Sequence, residues 1–307
     1  MKINYSQIND TKKNLLNLIN DDSFFQIKTI VGDIEQSDNV FKKPGLYNFA
    51  KDFVNHRPPK KYNKRLIEKV DISVNNFLHR SEDFSVLDNS KTNILFAGCS
   101  VTFGEGLPES HSWPDYVLTK LRSEGWDLGP RQVLSFLGGT TDKIVRNVFR
   151  YIDQFGKPDY ILLLLPDFFR INSYDKENFY YQIKMTYDFE KQEPFPEFSH
   201  INFYDMFTSY KVYYEFLSIF CRVNGIKLLA GSWYSHSVTA MKKSGDNAFI
   251  DFSYQSVIEY QKSEHFDKEY FYKLDEDFAA EAVDGLHPGA ISQMAIGHEF
   301  LKRIKSD

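Results

Sequence analysis

The sequence has little cysteine, no long apolar run and no concentrated positive charge. Its 307 residues include two cysteines, Cys99 and Cys221, too few for a disulfide framework or a multi-cysteine zinc site. The longest strongly apolar run, Tyr160–Pro166, is far shorter than the roughly 18–20 residues of a membrane span. The net charge is -5 and no strongly basic block is present, so we expect no nucleic-acid partner and no membrane span.

A secretory signal is also missing from the beginning of the chain. The first residues, MKINYSQINDTKKNLLNLIN, are polar and contain no continuous apolar segment, whereas a secretory signal needs one. We therefore expect a protein that stays in the cytoplasm where it is made. A virion-associated protein would have the same features.

The residues that are abundant are aromatic and apolar. Hydrophobic residues make up 42% of the chain and charged residues 26%, which is close to the usage of ordinary globular proteins. Aromatic residues reach 16%, so the chain has ample material for a hydrophobic core. A length of 307 residues predicts about two domains, or one large domain with additions.

Short apolar segments alternate with helical patterns from residue 93 onward. The predicted strands are Ile94–Gly98, Gln132–Leu137, Asp159–Leu165 and Ile226–Ala230. The predicted helices are Trp113–Arg122, Thr141–Phe155, Phe203–Val223 and Ala290–Ile304. Strands that are apolar throughout and alternate with helices favour a parallel sheet covered on both faces. The predicted fold is a three-layer α/β/α sandwich with a flavodoxin-like sheet of about five strands.

Two segments depart from this pattern. Residues 1–70 are polar and rich in Lys and Asn, and we predict an N-terminal extension packed on the sandwich or an arm that reaches another subunit. The main domain is then 71–307, with an insertion at about 168–205 that is dense in Phe and Tyr. Aromatic residues dominate cores and interfaces alike, so we favour a second core or an interface over a substrate wall. Either segment is a candidate contact in a homo-oligomer or larger assembly.

In parallel α/β sheets, ligands bind beyond the carboxyl ends of the strands. The first strand is followed by Gly98–Leu107, which matches neither the phosphate-binding loop nor the dinucleotide fingerprint. It instead places Ser100 at a sharp turn between a strand and a helix, where the serine N–H can face a developing oxyanion. The alternative is a turn serine that caps the helix.

A second chemical element, Asp284–Gly289, precedes the last helix. A serine nucleophile needs a base, and His287 can serve if a carboxylate orients its ring. Asp284 lies three residues earlier, and a tight turn can bring it back to the imidazole. Pro288 suits the first position of the following helix. The alternative is a surface turn with an ordinary histidine. We interpret the other seven histidines as ordinary, and His236, which follows a strand end, is the least certain of them.

Together these two elements resemble the SGNH/GDSL hydrolase superfamily. The resemblance rests on Gly98-Cys99-Ser100-x-Thr102-x-Gly104-x-Gly106-Leu107 and on Asp284-x-x-His287-Pro288. It implies that Ser100 is the nucleophile, His287 the base and Asp284 the group that orients it, with no metal or cofactor. Val74–Arg80 resembles the family's N-x-x-G-x-R segment, with Leu78 in the place of its glycine. Ser112-Trp113-Pro114 resembles the start of its first helix.

The family's remaining blocks match less well. The resemblance implies that the backbone N–H of Gly139, or of its neighbour Gly138, binds the oxyanion together with the N–H of Ser100. The third block has Asp167 where the family has Asn. Either Asp167 points away, or another donor such as Arg170 or Asn172 replaces the amide, or activity is reduced. Cys99 replaces the Asp of the name-giving motif, and we interpret it as a small buried residue without a catalytic role.

These features favour a serine hydrolase that cleaves an ester through an acyl-serine intermediate. The resemblance implies a small ester substrate, often a short acyl group such as acetyl on a carbohydrate. The altered third block and the N-terminal extension leave an alternative, a catalytically weakened binding or structural module in a viral or surface assembly. A third alternative is acyl transfer to a hydroxyl acceptor, which the same triad can perform.

Overall fold

The computed structural model describes residues 34–36, 42–48, 69–175, 180–185, 187–188, 193–194, 203–279, 282 and 287–306. Its strands are β1 Gly45–Asn48, β2 Asp71–Val74, β3 Ile94–Gly98, β4 Gln132–Ser135, β5 Tyr160–Leu165, β6 Arg170–Asp175, β7 Tyr180–Met185, β8 Tyr187–Asp188, β9 Glu193–Pro194, β10 Lys227–Ser232 and β11 Ile250–Asp251. Its α-helices are α1 Ser100–Phe103, α2 Trp113–Ser123, α3 Thr141–Phe155, α4 Phe203–Val223, α5 Ser235–Lys243, α6 Tyr254–Lys262, α7 Lys268–Phe271 and α8 Ala290–Ser306. Single 3₁₀ turns lie at Glu109–His111 and Glu276–Phe278.

Five strands form one parallel sheet in the order β11-β10-β5-β3-β4. Numbered along the chain, this is the flavodoxin-like order 2-1-3-4-5, so the predicted sheet is confirmed. Every residue of β3, β4 and β5 is buried, which explains why β3 and β5 are apolar nearly throughout; β4 also buries two polar residues, Gln132 and Ser135. In register, Gly98 of β3 pairs with Leu164 of β5 and Ser135 of β4. The loops after these three strands therefore leave the sheet at the same edge.

Helices cover both faces of the sheet, as predicted. On one face α8 packs against α2 and α6, and on the other α3 packs against α4. The helical spacing of Ile144, Val145 and Val148 in α3 buries them together because they lie on one stripe of the helix. The α2–α8 contact is close, since a Cβ on Gly297 would lie 2.5 Å from the Tyr116 ring.

The described part of the N-terminal segment contacts the sandwich. Strand β1 pairs antiparallel with β2, and Ile34 is buried in the main core. The Glu35 carboxylate accepts hydrogen bonds from Arg146 and Arg150 of α3, at 3.0 and 2.7 Å. Residues 34–36 therefore pack on α3, whereas most of residues 1–70 lie outside the described ranges.

Some boundaries differ from the predicted ones. Strand β10 continues to Ser232, two residues past the predicted end, and β11, α5 and α6 were not predicted. Helix α8 begins at Ala290, so Pro288 precedes the helix instead of occupying its first position, and that prediction was wrong. No helix within the described ranges is both long enough and apolar enough to cross a bilayer.

Candidate active site

Ser100 lies at the carboxyl end of the central strand β3, as the first residue of α1. The turn into α1 is tight because a Cβ on Gly98 would lie 2.1 Å from Thr102 Oγ1 and 2.7 Å from the Leu164 carbonyl oxygen. Helix α1 is followed by its C-cap residue Gly104, whose φ of 70° is left-handed. The two glycines thus hold Ser100 on a single helical turn at the edge of the sheet, and Ser100 is 3% exposed.

His287 reaches Ser100 from the other end of the chain. Its Nε2 lies 2.8 Å from Ser100 Oγ, within the reach that a general base needs. Gln293 of α8 connects the same parts of the fold, because its side chain accepts from the Trp113 N–H at 3.0 Å and donates to the Val101 carbonyl at 3.2 Å. An imidazole in this position can take the proton of the serine hydroxyl as the hydroxyl attacks.

The third member of the expected triad, Asp284, lies outside the described residues. Its role in orienting His287 therefore stays a prediction. Among the described residues, no group of three or more His, Cys, Asp or Glu side chains is placed to hold a metal ion.

The structure adds a carboxylate that sequence reasoning missed, that of Glu105. Its Oε2 lies 3.4 Å from His287 Nε2, and the residue is 3% exposed. The Glu105 N–H donates to the Ser100 carbonyl at 3.1 Å. Gly104 and Gly106 on either side are both left-handed, with φ of 70° and 75°. The G-E-G triplet was visible in the sequence, but the backbone turns that bring Glu105 back to His287 were not.

Arg80 holds this loop in place. Its guanidinium is fully buried and donates to the carbonyls of Gly104 and Leu107, both at 2.8 Å, and of Phe103 at 3.2 Å. Burial lowers the pKa of Arg80 to about 10, so the side chain stays charged at neutral pH. The segment that resembles N-x-x-G-x-R therefore clamps the loop carrying Glu105.

The loop after β4 contains the glycines predicted to bind the oxyanion. Gly138 has a left-handed φ of 69°, and the Gly139 N–H donates to the Phe136 carbonyl at 2.9 Å. A Cβ on Gly139 would lie 2.7 Å from Phe136 Cβ, so the turn needs glycine there. In this state the Gly139 N–H already has an acceptor. The Ser100 N–H is the first of α1 and therefore has no acceptor within that helix.

In the loop after β5, the carboxylate of Asp167 lies close to a histidine. Asp167 is fully buried; its Oδ1 accepts from the Phe169 N–H at 2.9 Å and lies 2.8 Å from His236 Nε2. His236, which we had read as an ordinary histidine, lies in the first turn of α5. The position of His236 just after a strand is the signal that the sequence offers for it. Its partner Asp167 cannot be found from the sequence, because the contact depends on β10 lying beside β5.

The other residues considered at this edge have different surroundings. Arg170 donates from Nη2 to the Tyr234 hydroxyl at 2.7 Å. Cys99 is buried with a free thiol, as we expected of a small buried residue. The Asn172 side chain lies outside what the structure describes.

A cavity of about 200 Å³ opens between the loops after β4 and β5 and helix α4. Its lining side chains are Thr141, Asp142, Phe168, Arg170, Met206, Ser209, Tyr210 and Tyr213. Phe168 and its neighbour Phe169, the first aromatic residues of the insertion, are buried in the main core, and Phe168 also lines the cavity. The predicted role of the insertion as a second core or an interface stays a prediction, because most of residues 176–202 lie outside the described ranges.

Comparison with solved structures finds several esterases among the similar chains. The psychrotrophic esterase EstA from Pseudoalteromonas sp. has a TM-score of 0.41 at 14% identity, over 70% of this chain and 97% of that chain. The acetyl xylan esterase AlAXEase has a TM-score of 0.41 at 13% identity, over 69% of this chain and 99% of that chain. A family 3 carbohydrate esterase from Clostridium thermocellum has a TM-score of 0.39 at 14% identity, over 69% of this chain and 94% of that chain. Comparison with models of protein families and with curated proteins finds no match.

Proposed function

We propose that the protein is a serine hydrolase that cleaves an ester through an acyl-serine intermediate. The observation that carries the proposal is the 2.8 Å approach of Ser100 Oγ and His287 Nε2 at the carboxyl edge of the sheet, where α/β proteins bind ligands. A serine that is held on a tight turn and hydrogen-bonded to an imidazole is the arrangement that nucleophilic acyl transfer requires.

In the proposed reaction, Ser100 Oγ attacks the ester carbonyl while His287 Nε2 takes the hydroxyl proton. The carbonyl oxygen becomes an oxyanion that the Ser100 N–H stabilises, together with Gly139 if its N–H leaves the Phe136 carbonyl. His287 then gives its proton to the departing alkoxide, and the acyl group stays on Ser100. Water attacks the acyl-serine with His287 as base, which releases the acid and restores the hydroxyl. Asp284 is proposed to orient the ring.

The substrate that we propose is a short acyl ester, such as an acetyl group on a carbohydrate or a similar alcohol. The resemblance of the Ser100 and His287 segments to SGNH/GDSL hydrolases supports this choice. The neighbours of Ser100 in the sequence are buried, since Cys99, Val101 and Phe103 are each at most 4% exposed, and Ser100 itself is 3% exposed. Such surroundings suit a short acyl group.

The test is hydrolysis of 4-nitrophenyl acetate by the native protein and two variants. Ser100→Ala and His287→Gln should each lower kcat by at least about 10³-fold, because nucleophile and base act as a unit. The matched control is Ser110→Ala, which removes a serine that also contacts a histidine, His111, at 3.0 Å. Equal slow hydrolysis by native protein and Ser100→Ala would refute the proposal.

A second candidate is a binding module with weakened chemistry. It is supported by the engaged Gly139 N–H and by the Asp167 carboxylate at the place of an expected amide donor. A fluorophosphonate that labels Ser100 would separate the candidates from each other. Labelling without turnover of any ester favours the module, and labelling with turnover favours the esterase. Product analysis with an added alcohol separates hydrolysis from acyl transfer.

A further inference from the structure

Three side chains that line the cavity beside α4 each carry a buried hydrogen-bond donor with no acceptor among the described residues. The donors are Thr141 Oγ1, Arg170 Nη1 and Tyr210 Oη. Thr141 is 6% exposed, and Arg170 uses its other terminal nitrogen for the Tyr234 hydroxyl. Buried donors without an acceptor are rare and call for an explanation, such as a bound group that supplies one.

The chemistry of the Arg170 and Thr141 donors selects a ligand that is rich in oxygen. A guanidinium is permanently charged and matches the geometry of a carboxylate, and a hydroxyl can add a second hydrogen bond to the same group. The wall that Phe168, Tyr210 and Tyr213 contribute to the cavity offers flat apolar faces to a ring. A dry cavity of about 150 Å³ can hold benzene, so one of about 200 Å³ accommodates a single ring.

The acidic residues nearby do not cancel this preference. Asp142 also lines the cavity, but Thr140 donates to its Oδ1 at 2.6 Å and Arg146 Nη1 lies 3.5 Å from its Oδ2. Asp142 is also in the first turn of α3, where the helix dipole offsets negative charge. Asp167 is directed to His236 and the Phe169 N–H.

The cavity opens at the same edge of the sheet as the nucleophile. Thr141 follows β4 and Arg170 follows β5, and β3, which ends just before Ser100, lies between these two strands. The cavity belongs to the α3–α4 face of the sheet, whereas His287 precedes α8 on the opposite face. An ester bound to Ser100 can therefore extend away from His287 into the cavity.

We propose that this cavity binds the alcohol part of the ester and selects an alcohol that carries a carboxylate on a ring, such as an acylated sugar acid. This inference rests on the proposed esterase function for its catalytic consequence. The carboxylate-binding site itself does not depend on that function.

The test uses two aryl acetates, 4-acetoxybenzoate and its neutral methyl ester, and follows release of the phenol; the methyl ester removes the charge and adds one methyl group. The native protein should hydrolyse the charged ester with at least about tenfold higher kcat/KM. Arg170→Gln should lower the charged-to-neutral ratio by roughly 10–100-fold, as expected for a charge-assisted hydrogen bond. Tyr234→Phe is the matched control, since it removes the hydroxyl held by Arg170 but leaves the guanidinium; its ratio should change less than about twofold.

A binding measurement separates this inference from the proposed function. In the Ser100→Ala background, calorimetry should detect 4-hydroxybenzoate, and Arg170→Gln should raise its Kd at least about tenfold. If no ester is hydrolysed but 4-hydroxybenzoate binds through Arg170, the esterase proposal fails and the site stands. An unchanged ratio in Arg170→Gln, or no binding of 4-hydroxybenzoate at millimolar concentration by a folded Ser100→Ala protein, would overturn the inference.

Discussion

Glu105 Oε2 lies 3.4 Å from His287 Nε2, the nitrogen that also meets Ser100 Oγ at 2.8 Å. Glu105 is 3% exposed, so solvent and salt screen its charge weakly. A carboxylate at this distance stabilises a protonated imidazole relative to a neutral one. Because His287 must be neutral to take the Ser100 proton, Glu105 influences the pH range in which the base can act.

We expect Glu105→Gln to move the acidic limb of the kcat/KM profile to lower pH. Without the negative charge of Glu105, the protonated imidazole loses a stabilising neighbour, so the limb should move to lower pH. The rate on the plateau should fall as well, because a weaker base removes the serine proton less readily. The measurement is hydrolysis of 4-nitrophenyl acetate between pH 4 and pH 9.

The control for this shift is Glu109→Gln. Glu109 lies on the same segment but contacts Arg131 at 3.1 Å, with a side chain 41% exposed. Its removal should leave the position of the acidic limb unchanged. A profile of Glu105→Gln that overlays the native one would show that the carboxylate does not act on His287.

The Arg80 clamp should be sensitive even to a conservative change. Arg80→Lys keeps the charge but offers one ammonium in place of the planar fork that reaches the carbonyls of Phe103, Gly104 and Leu107. We expect a loss of about 2–4 kcal/mol in the free energy of unfolding, together with lower kcat, because the loop of Glu105 loosens. Urea unfolding and ester hydrolysis measure the two effects.

The comparison variant is Arg122→Lys, which changes an exposed arginine of α2. Surface substitutions of this kind usually alter stability by no more than about 0.5 kcal/mol. A similar small change for Arg80→Lys would mean that the clamp contributes little.

The sheet could be predicted because its two central strands, β3 and β5, are continuous apolar segments. Ile94–Gly98 shows this pattern, and the α3 stripe of Ile144, Val145 and Val148 shows the helical one. By contrast, α5 and α6 are nine residues each and carry few apolar positions, so their periodicity is weak. The end of β10 was missed because Ser232 is polar, yet it pairs with Leu165 and its hydroxyl donates to that carbonyl at 3.1 Å.

Some residues of the candidate site could likewise be predicted from the sequence, and others could not. Ser100 and His287 could be assigned roles because each lies beside glycines at the end of an element, in segments that resemble a known family. Glu105 could not, because the direction of its side chain depends on the left-handed turns at Gly104 and Gly106. The Asp167–His236 contact joins a loop to the first turn of α5, 69 positions apart in the sequence (167 and 236), and no local pattern encodes it.

Leu78 is a buried leucine held in a left-handed backbone conformation, with φ of 64°. A side chain there costs roughly 1–2 kcal/mol, yet Leu78 packs with Ile72 and Phe103 in a small core. Leu78→Ala should lose this packing, at about 2–5 kcal/mol, and keep the strain. Leu78→Gly loses the packing but relieves the strain, so we expect it to be more stable than Leu78→Ala by about 1 kcal/mol.

Chemical denaturation of both variants measures the difference. The control pair is Leu121→Ala and Leu121→Gly in α2, where alanine should be more stable by about 1 kcal/mol because glycine weakens a helix. If alanine were also the more stable residue at position 78, the backbone there would not be strained.

His79 should make the fold sensitive to mild acid. It is fully buried, and burial lowers its pKa to about 4, against the favourable hydrogen bonds to the backbone of Ser135 and Glu35. In the unfolded chain the pKa is about 6.5, so between these values the unfolded state binds more protons. The free energy of unfolding therefore falls as the pH drops from about 6.5 to about 4, by about 3 kcal/mol from this residue alone.

The measurement is urea unfolding across this pH range for the native protein, His79→Gln and His265→Gln. His79→Gln should be less stable at neutral pH, because two buried contacts with Ser135 and Glu35 change, but its stability should depend less steeply on pH. His265 is exposed, so its replacement should leave the native slope unchanged. Because a slope reports protons taken up on unfolding, it separates the titration of His79 from lost packing. Equal slopes in the native protein and His79→Gln would mean that His79 is protonated in the folded state at the same pH as in the unfolded chain.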